Sequence, residues 1–491
     1  EWFVSMGLRM NLTSRAAANH LAGYLESAPT QARSRCVSKV GWYGDSFILP
    51  DGAISASDER VVFQTARDVG KAARDLEHLF QVSGTLLEWQ EHVAKLCCGN
   101  SRLVFAVCCA FAAPLLKLAE MEGGGCNFRG PSSIGKSTLQ RVAGSVCGGG
   151  GRDGYLLSWR STANALEAVA EAHNDCLVCL DEIALIEPRE AGEAAYMLAN
   201  GSGKARMHKD SSLRQPASWR VLFLSSGEIS LRDHVSVVGK RVRGGHEVRL
   251  LDIPADAGAG LGVFEDLHGT QSADAFARRL TEASLAYYGT PLREFLALLA
   301  TNPHGWGGQV KKERNAFLRD HVPADASGEV LRVGGLFGLV AAAGVLAVQD
   351  EILPWKPREA TKATVCCFQA WLQARGGCGA KDIDNAIHQV RAFLEAHGAS
   401  RFQGTDKEVA VTYNRAGFKE TDTKGTWTYF ILPEAFRAEV CAGYDPELVA
   451  RVLKARGFLT TDRNRLTLQR RFPEVGRIRV YAVSSSLLQG D

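Results

Sequence analysis

Residues 130–138 read Gly-Pro-Ser-Ser-Ile-Gly-Lys-Ser-Thr, a G-x-x-x-x-G-K-S pattern that narrows the fold more than any other stretch of the chain. Its glycines let the main chain curl until several N–H groups point at one anion, a geometry that arises where a strand hands over to the first turn of a helix. The flanking residues agree, with a strand expected from Gly125 to Arg129 and a helix from Lys136 to Val146. In such a turn Gly130, Pro131, Ser132, Ser133, Ile134, Gly135 and Thr138 shape the phosphate cradle. Lys136 would reach the β- and γ-phosphates of ATP, and the Ser137 hydroxyl would hold Mg²⁺.

A second signal is LVCLDEI, Leu177 to Ile183, an apolar strand ending in two acids. A parallel strand of this kind puts Asp181 at the carboxyl edge of the sheet, beside the phosphate turn, where it can join the Mg²⁺ shell. Glu182 can orient or deprotonate the attacking water, so the pair points to ATP hydrolysis rather than nucleotide binding alone. No N-K-x-D segment for reading guanine is present. The apolar strand within Val221 to Glu228 ends in Ser225 and Ser226. Either could sense the γ-phosphate, at the place where an ATPase of the AAA+ type puts a polar group; a strand closing on an N-cap serine reads the same way.

Strands at Tyr155 to Trp159 and Glu247 to Ile253, with helices at Ala163 to Ala172 and Arg189 to Gly201, extend a β–α rhythm from Cys126 to Pro254. That rhythm is expected of a parallel sheet covered on both faces. Arg249 falls inside the last apolar strand, where a lone cation is costly without a partner. One of Arg241, Arg243 and Arg249 is expected to reach the γ-phosphate bound by a neighbouring subunit. The alternative is an internal ion pair with Asp181, Glu182 or Asp252. Lys204, Arg206 and Lys209 lie between a helix and a strand, with residues 209–212 as the turn of a hairpin. Such a hairpin would carry cations into the channel of a ring and touch DNA phosphates, or stand as a solvated charged loop.

Charge limits what surrounds this core. With 57 basic and 54 acidic residues the net charge is +3, too balanced for nucleic-acid binding over the whole surface, so basic surface must be local. Between Arg451 and Arg479 nine basic residues (Arg451, Lys454, Arg456, Arg463, Arg465, Arg470, Arg471, Arg477, Arg479) stand against Asp462 and Glu474. A helix from Pro446 to Arg456 and two strand-like pieces after it follow the pattern of a winged helix, able to bind duplex or forked DNA through its phosphates. Winged helices also contact proteins.

The 13 cysteines form no disulfide-rich pattern. Neighbours such as Cys97-Cys98, Cys108-Cys109 and Cys366-Cys367 point about 100° apart on a helix, which suits neither a bridge nor a shared metal. Cys176 and Cys179 lie on a strand, where residues three apart face opposite sides, so zinc is not expected. Reduced cysteines and no signal peptide lead to a cytoplasmic expectation. Because residue 1 is Glu, further chain is expected ahead of it. The run Leu103–Leu116, read as the longest apolar stretch without a charge, would reach about 21 Å as a helix, short of the roughly 30 Å of a hydrocarbon core. A buried helix is expected there, and no membrane span.

The remaining patterning is helical at Ala16 to Glu26 and Leu86 to Glu122, and again at Ala273 to Tyr288, Pro291 to Leu299, Leu331 to Val348 and Thr361 to Ala374. Gly41 to Ile54 alternates aromatic and polar residues and turns at Pro50-Asp51-Gly52, as a small β-containing cap would.

With these motifs in place the chain resembles the bacterial family known as domain of unknown function 927, which includes MCM-like AAA+ helicases of mobile elements of the cassette-chromosome type. The resemblance runs through GWYGDSFILPDG, GPSSIGKST, SWRSTANALEAVAEAHND, LDEI, NGSGKARM, WRVLFLSSGE, EVRLLDIP, LTEASLAYYGTPLREFL, AAAGVLA and the terminal wing, in the family's order. It implies a hexameric ring that binds ATP between subunits, moves on single-stranded DNA and unwinds duplex. Ser225 or Ser226 becomes the sensor, Lys204, Arg206 and Lys209 the hairpin ahead of it, and Arg332 a candidate second sensor. The serine pair replaces the usual sensor Asn, no S-R-F finger triplet is present, and no cysteine cluster marks a zinc finger.

The expected architecture is an α/β AAA+ P-loop core at 81–260, an N-terminal α+β cap at 1–80, a helical region at 261–400 and a winged helix at 401–491. The expected function is an ATP-dependent, ring-forming, hexameric DNA helicase or translocase for replication of a mobile element, acting on single-stranded and forked DNA with ATP and Mg²⁺. A remodeller of DNA or protein without unwinding, and a nucleotide-switched DNA-binding module, remain as alternatives; the intact Asp181–Glu182 pair argues against a pure switch.

Overall fold

The computed structural model describes residues 15–27, 34–56, 59–64, 79–151, 154–203, 206–207, 213–214, 216–238, 247–375, 377, 381–405, 412–423, 425–442, 444–462, 465–472 and 475–489. Helix α1 (Arg15–Ser27) has no buried residue. Five short strands follow: β1 (Arg35–Val37), β2 (Gly41–Tyr43), β3 (Ser46–Leu49), β4 (Gly52–Ile54) and β5 (Val61–Phe63). β2, β3 and β4 form an antiparallel meander, with Leu49 opposite Gly52 across the Pro50-Asp51 turn, and β1 pairs β5 in parallel.

The meander is tied to the rest of the chain through Trp42. Its main-chain N–H donates to Asp175 (3.1 Å) and its indole N–H to the Pro114 carbonyl (2.8 Å), while Lys117 donates to the Trp42 carbonyl (2.9 Å). Gly41 has φ +104°, and a Cβ there would lie 2.5 Å from the Asn174 side chain, so only glycine admits this approach.

The apolar stretch read as one helix from Leu103 to Leu116 is two. Helix α2 (Ser101–Ala112) is buried along its whole length, and a second short helix, Leu115–Leu118, starts after Pro114, whose missing N–H ends the first ladder.

The strand–turn–helix unit at Gly130 lies inside a five-stranded parallel sheet. Its parts, in chain order, are β6 (Gly124–Arg129), α3 (Lys136–Cys147), β7 (Leu156–Ser158), α4 (Ala163–Ala172), β8 (Leu177–Asp181), α5 (Pro188–Asn200), the two-residue strands β9 (Arg206–Met207) and β10 (Leu213–Arg214), β11 (Leu222–Gly227), α6 (Leu231–Ser236) and β12 (Leu250–Pro254). The spatial order is β12-β6-β11-β8-β7. One sheet face, with Cys126, Phe128, Leu177, Cys179, Leu222 and Leu224, packs with α2 and α3. The other, with Val178, Leu180, Phe223 and Leu250, packs with α4 and α5. Cover on both faces explains why these strands read as continuous apolar runs rather than alternating ones.

Helices α7 (Ala273–Ala286), α8 (Thr290–Ala300), α9 (Pro303–His321), α10 (Gly328–Gln349), α11 (Glu359–Arg375) and α12 (Lys381–His397) follow. Helix α9 has no counterpart in the sequence reading, because its glycines and charges hide the apolar period. Its place is made by α10: a Cβ on Gly338 would lie 3.0 Å from the Arg314 carbonyl oxygen, and one on Gly334 2.6 Å from Val322.

Helix α10 also corrects the reading of Leu103–Leu116 as the longest apolar run. Its 22 residues are long and apolar enough to cross a membrane by length and composition, but 78% of its apolar window is buried inside the fold. Glycines interrupt its hydropathy without adding charge, so the run was undercounted.

The C-terminal residues build a second sheet from β13 (Phe402–Gly404), β14 (Gly417–Thr421), β15 (Trp427–Ile431), β16 (Leu459–Thr460), β17 (Leu468–Phe472) and β18 (Gly476–Ser484), with α13 (Pro446–Ala455) packed near it. The two-stranded ribbon expected here exists as β17–β18, but it is not freestanding. β18 is nine residues long: Gly476–Val480 pair with β17, and the rest with β15 and β16.

Candidate functional site

The carboxyl ends of β6, β8 and β11 converge on the Gly130 turn. Gly135 caps α3 with φ +96°, and a Cβ there would meet Val263 at 2.7 Å, so this position needs glycine on both conformational and steric grounds. Ser133 also has positive φ, +63°. Pro131, Ser132 and Ser133 are exposed, whereas Ile134 packs beneath Gly130. The Lys136 ammonium folds back over the turn and donates to the carbonyls of Gly130 (2.7 Å) and Pro131 (2.5 Å). Thr138 is buried, 3.4 Å from the Thr281 hydroxyl of α7.

Four side and main chains then form one hydrogen-bonded chain. The Ser137 hydroxyl faces both Asp181 oxygens at 3.0 and 3.2 Å. The Ser226 hydroxyl donates to Asp181 at 2.5 Å and accepts from the Glu182 main-chain N–H at 3.1 Å. Glu182 sits at φ 58°, an uncommon conformation for a residue with a side chain, which turns it out of the strand directly after Asp181.

Ser225, fully buried, instead accepts from the Trp159 indole N–H at 2.9 Å. Successive strand residues face opposite ways, so only one serine of the pair can meet the acids. The geometry brings Ser226 to them and leaves Ser225 in the packing of Trp159.

Ser137 and Asp181 bring hard oxygen donors to within 3.0 Å of each other, the donor type Mg²⁺ prefers. Among the described residues no group of three or more His, Cys, Asp or Glu is placed to hold a metal.

The arginines divide. Arg241 and Arg243 lie outside the described residues. Arg249 does not lie within a strand as expected: β12 begins at Leu250, and the Arg249 guanidinium sits over the Tyr196 ring, 4.4 Å from its centroid. The premise of a lone cation in an apolar strand therefore fails at this residue. Arg332 is exposed on α10, one turn before Leu336, which packs on Gly124 at the end of β6 away from the turn.

Lys204 and Lys209 lie outside the described residues, as does the expected 209–212 turn. Arg206 lies on β9, paired with Arg214 of β10 in antiparallel register, and Gly203 and Trp219 bind across the base to Ala217 and Gly201. An antiparallel ribbon does interrupt the path from α5 to β11.

Sequence reasoning missed a clasp on the turn. Residues 255–264 return over it: the Val263 N–H donates to the Ile134 carbonyl at 2.9 Å. The start of this clasp is held by Arg102, only 3% exposed, which donates to the carbonyls of Pro254 (3.0 Å) and Asp256 (3.2 Å). A single arginine heading an otherwise apolar helix was the available signal.

A buried pair also lies at the opposite edge of the sheet. Burial pushes the Asp175 carboxyl up, although Trp42 and Arg220 oppose it. Burial holds His173 down at about 4, with one ring nitrogen 2.7 Å from the Val169 carbonyl.

The fold and this cluster define an α/β protein whose open parallel sheet gathers a glycine turn, a lysine, an acid pair and a serine at its carboxyl edge. Residues 3–218 match the model of a protein family, the Domain of unknown function (DUF927), the family that the sequence resembles. In fold the chain is similar to SCCmec type IV Cch, an active helicase, with a TM-score of 0.71 and 18% sequence identity over 97% of this chain and 84% of that one. No curated protein matches it.

Proposed function

We propose that this chain is an AAA+ P-loop ATPase that acts as a ring-forming, hexameric DNA helicase or translocase in the replication of a mobile element. The observation that carries the reading is the chain Ser137–Asp181–Ser226–Glu182 lying in front of Lys136. Few structural needs would place a lysine, two hydroxyls and two acids from three separate segments around one glycine turn. The likeness in fold to a helicase and the family match support the DNA-acting part.

In this reading the turn's N–H groups and Lys136 hold the ATP phosphates. Ser137 and Asp181 would hold Mg²⁺, which supplies charge stabilisation to the transferring phosphoryl group. Glu182, turned out of the strand, orients and deprotonates water. Ser226 links the metal-side acid to the base-side main chain, so a change in the γ-phosphate can be felt at both. Arg241, Arg243 or Arg249 of a neighbouring subunit completes the site, and the Lys204–Lys209 ribbon touches DNA in the channel. The C-terminal sheet with α13 serves as the winged helix.

The test is ATP turnover with unwinding of a forked duplex. Wild-type chain should hydrolyse ATP with DNA stimulation and separate the strands, and Lys136→Ala should abolish both with an unchanged melting curve. Turnover persisting in Lys136→Ala overturns the assignment of the turn. DNA-stimulated turnover without strand separation supports a remodeller instead.

A further inference from the structure

The basic residues of the C-terminal unit are not equivalent once their partners are known. On α13 Arg451 is paired with Glu447, and just after the helix Arg456 is paired with Asp384 at 2.7 Å. Arg470 is paired with Glu420 and lies over the Phe430 ring, and Arg479 is 3.5 Å from Asp462. Arg471 and Arg477 differ: both are exposed, and neither has an ion-pair partner among the described residues.

These two arginines stand directly opposite each other in the β17–β18 register. Opposite residues of an antiparallel pair share a face, and like charges placed so are destabilising. Gln469 and Arg479, the next pair on that face, extend the row. The other face is fixed by packing: Phe472 is buried and stacks on Phe418 with centroids 4.3 Å apart. The ribbon is thus a supported platform whose outer face carries, at Arg471 and Arg477, positive charge with no ion-pair partner among the described residues.

We propose that this outer ribbon face, and not helix α13, is a second DNA contact that grips the phosphate backbone of duplex without reading its sequence. A polyanion between Arg471 and Arg477 removes their mutual repulsion, and guanidinium forks suit phosphate oxygens. Helix α13 is a poorer candidate, because Arg451 on it and Arg456 just after it are already engaged by carboxylates, which leaves it Lys454. The inference rests on the DNA-acting half of the reading above and is independent of ATP hydrolysis.

The experiment measures binding of the full chain to two duplexes of unrelated sequence by fluorescence anisotropy, across a salt series and without nucleotide. Arg471→Gln/Arg477→Gln should flatten the slope of log affinity against log salt by about 1.8, two phosphate contacts at roughly 0.9 each, equally on both duplexes. Arg451→Gln/Arg456→Gln should leave the slope unchanged. The ribbon variant should melt no lower than wild type, since a repulsive pair has been removed. An unchanged slope, a loss on only one duplex, an equal loss in the α13 variant or a clearly lower melting temperature each overturns the proposal. So does wild-type binding to phosphatidylserine vesicles that exceeds binding to duplex and is lost with the same two arginines. ATP turnover measured without DNA reports separately on the motor reading, so its failure is not confused with failure of the ribbon.

Discussion

The two neighbouring serines show how far one residue's position decides its role. Ser226 touches Asp181 and the Glu182 main chain, while Ser225 holds the Trp159 indole. Ser226→Ala should therefore lower ATP turnover by about 10–100-fold, the equivalent of roughly 1.4–2.7 kcal/mol in the transition state. Ser225→Ala leaves a buried indole N–H unpaired and should cost about 1–3 kcal/mol of stability, with a smaller effect on turnover per folded molecule. Steady-state turnover and denaturant melts on both variants separate the two; equal turnover losses would show that the serines act as one unit.

His173 gives a pH-dependent counterpart. The unfolded chain protonates this imidazole near 6.5, whereas the folded chain keeps it neutral down to about 4. Between these values the unfolded form binds more protons, so stability is full above pH 6.5 and drains as pH falls, by about 3 kcal/mol at pH 4. The ring is packed against Phe80 and Tyr155, so His173→Phe keeps most of that packing. Urea midpoints between pH 7 and 4.5 should fall less steeply in the variant than in wild type. Parallel slopes would show that other groups govern acid sensitivity.

At the scale of elements, the parts of the site that are local in sequence were the legible ones. The Gly130 turn, the β8 strand with its acids and helix α4 announce themselves because glycine spacing and apolar runs are written in consecutive residues. Arg249 misled because the start of β12 depends on pairing with β6, which no local pattern records. The clasp from 255 to 264 was invisible for the same reason, and Arg102 at the head of an apolar helix signalled a buried cation but not its partners, because Ile134 and the Pro254 and Asp256 carbonyls come from distant segments. Helix α9 was hidden by its own composition and is held by close approach to glycines of α10.

The ribbon after α5 is the element whose function is most exposed to test. Its backbone pairing supports an arm ahead of β11, and its cations Lys204, Arg206 and Lys209 are proposed to touch DNA. Lys209→Ala should then cost forked-duplex unwinding more than it costs turnover measured without DNA. An unwinding rate equal to wild type would move the DNA track elsewhere.

For the whole molecule, the proposed ring requires that one copy's Gly130 turn be completed by another copy's arginine. Within one chain, Arg249 already sits on Tyr196, which turns attention to Arg241 and Arg243. A mixing experiment decides whether they act across subunits. Lys136→Ala copies keep a working arginine but cannot hold phosphate, and Arg241→Ala/Arg243→Ala copies do the reverse. Each alone should hydrolyse little ATP. Mixed in equal amounts, about one quarter of interfaces should pair an intact turn with an intact arginine, and turnover should recover toward that fraction of wild type. The particle mass with ATP and single-stranded DNA must show assembly in the same mixture. Assembly without any recovery would mean that neither arginine completes the neighbouring site. Chains that stay single at every concentration would remove the ring itself, since a site divided between copies cannot then form.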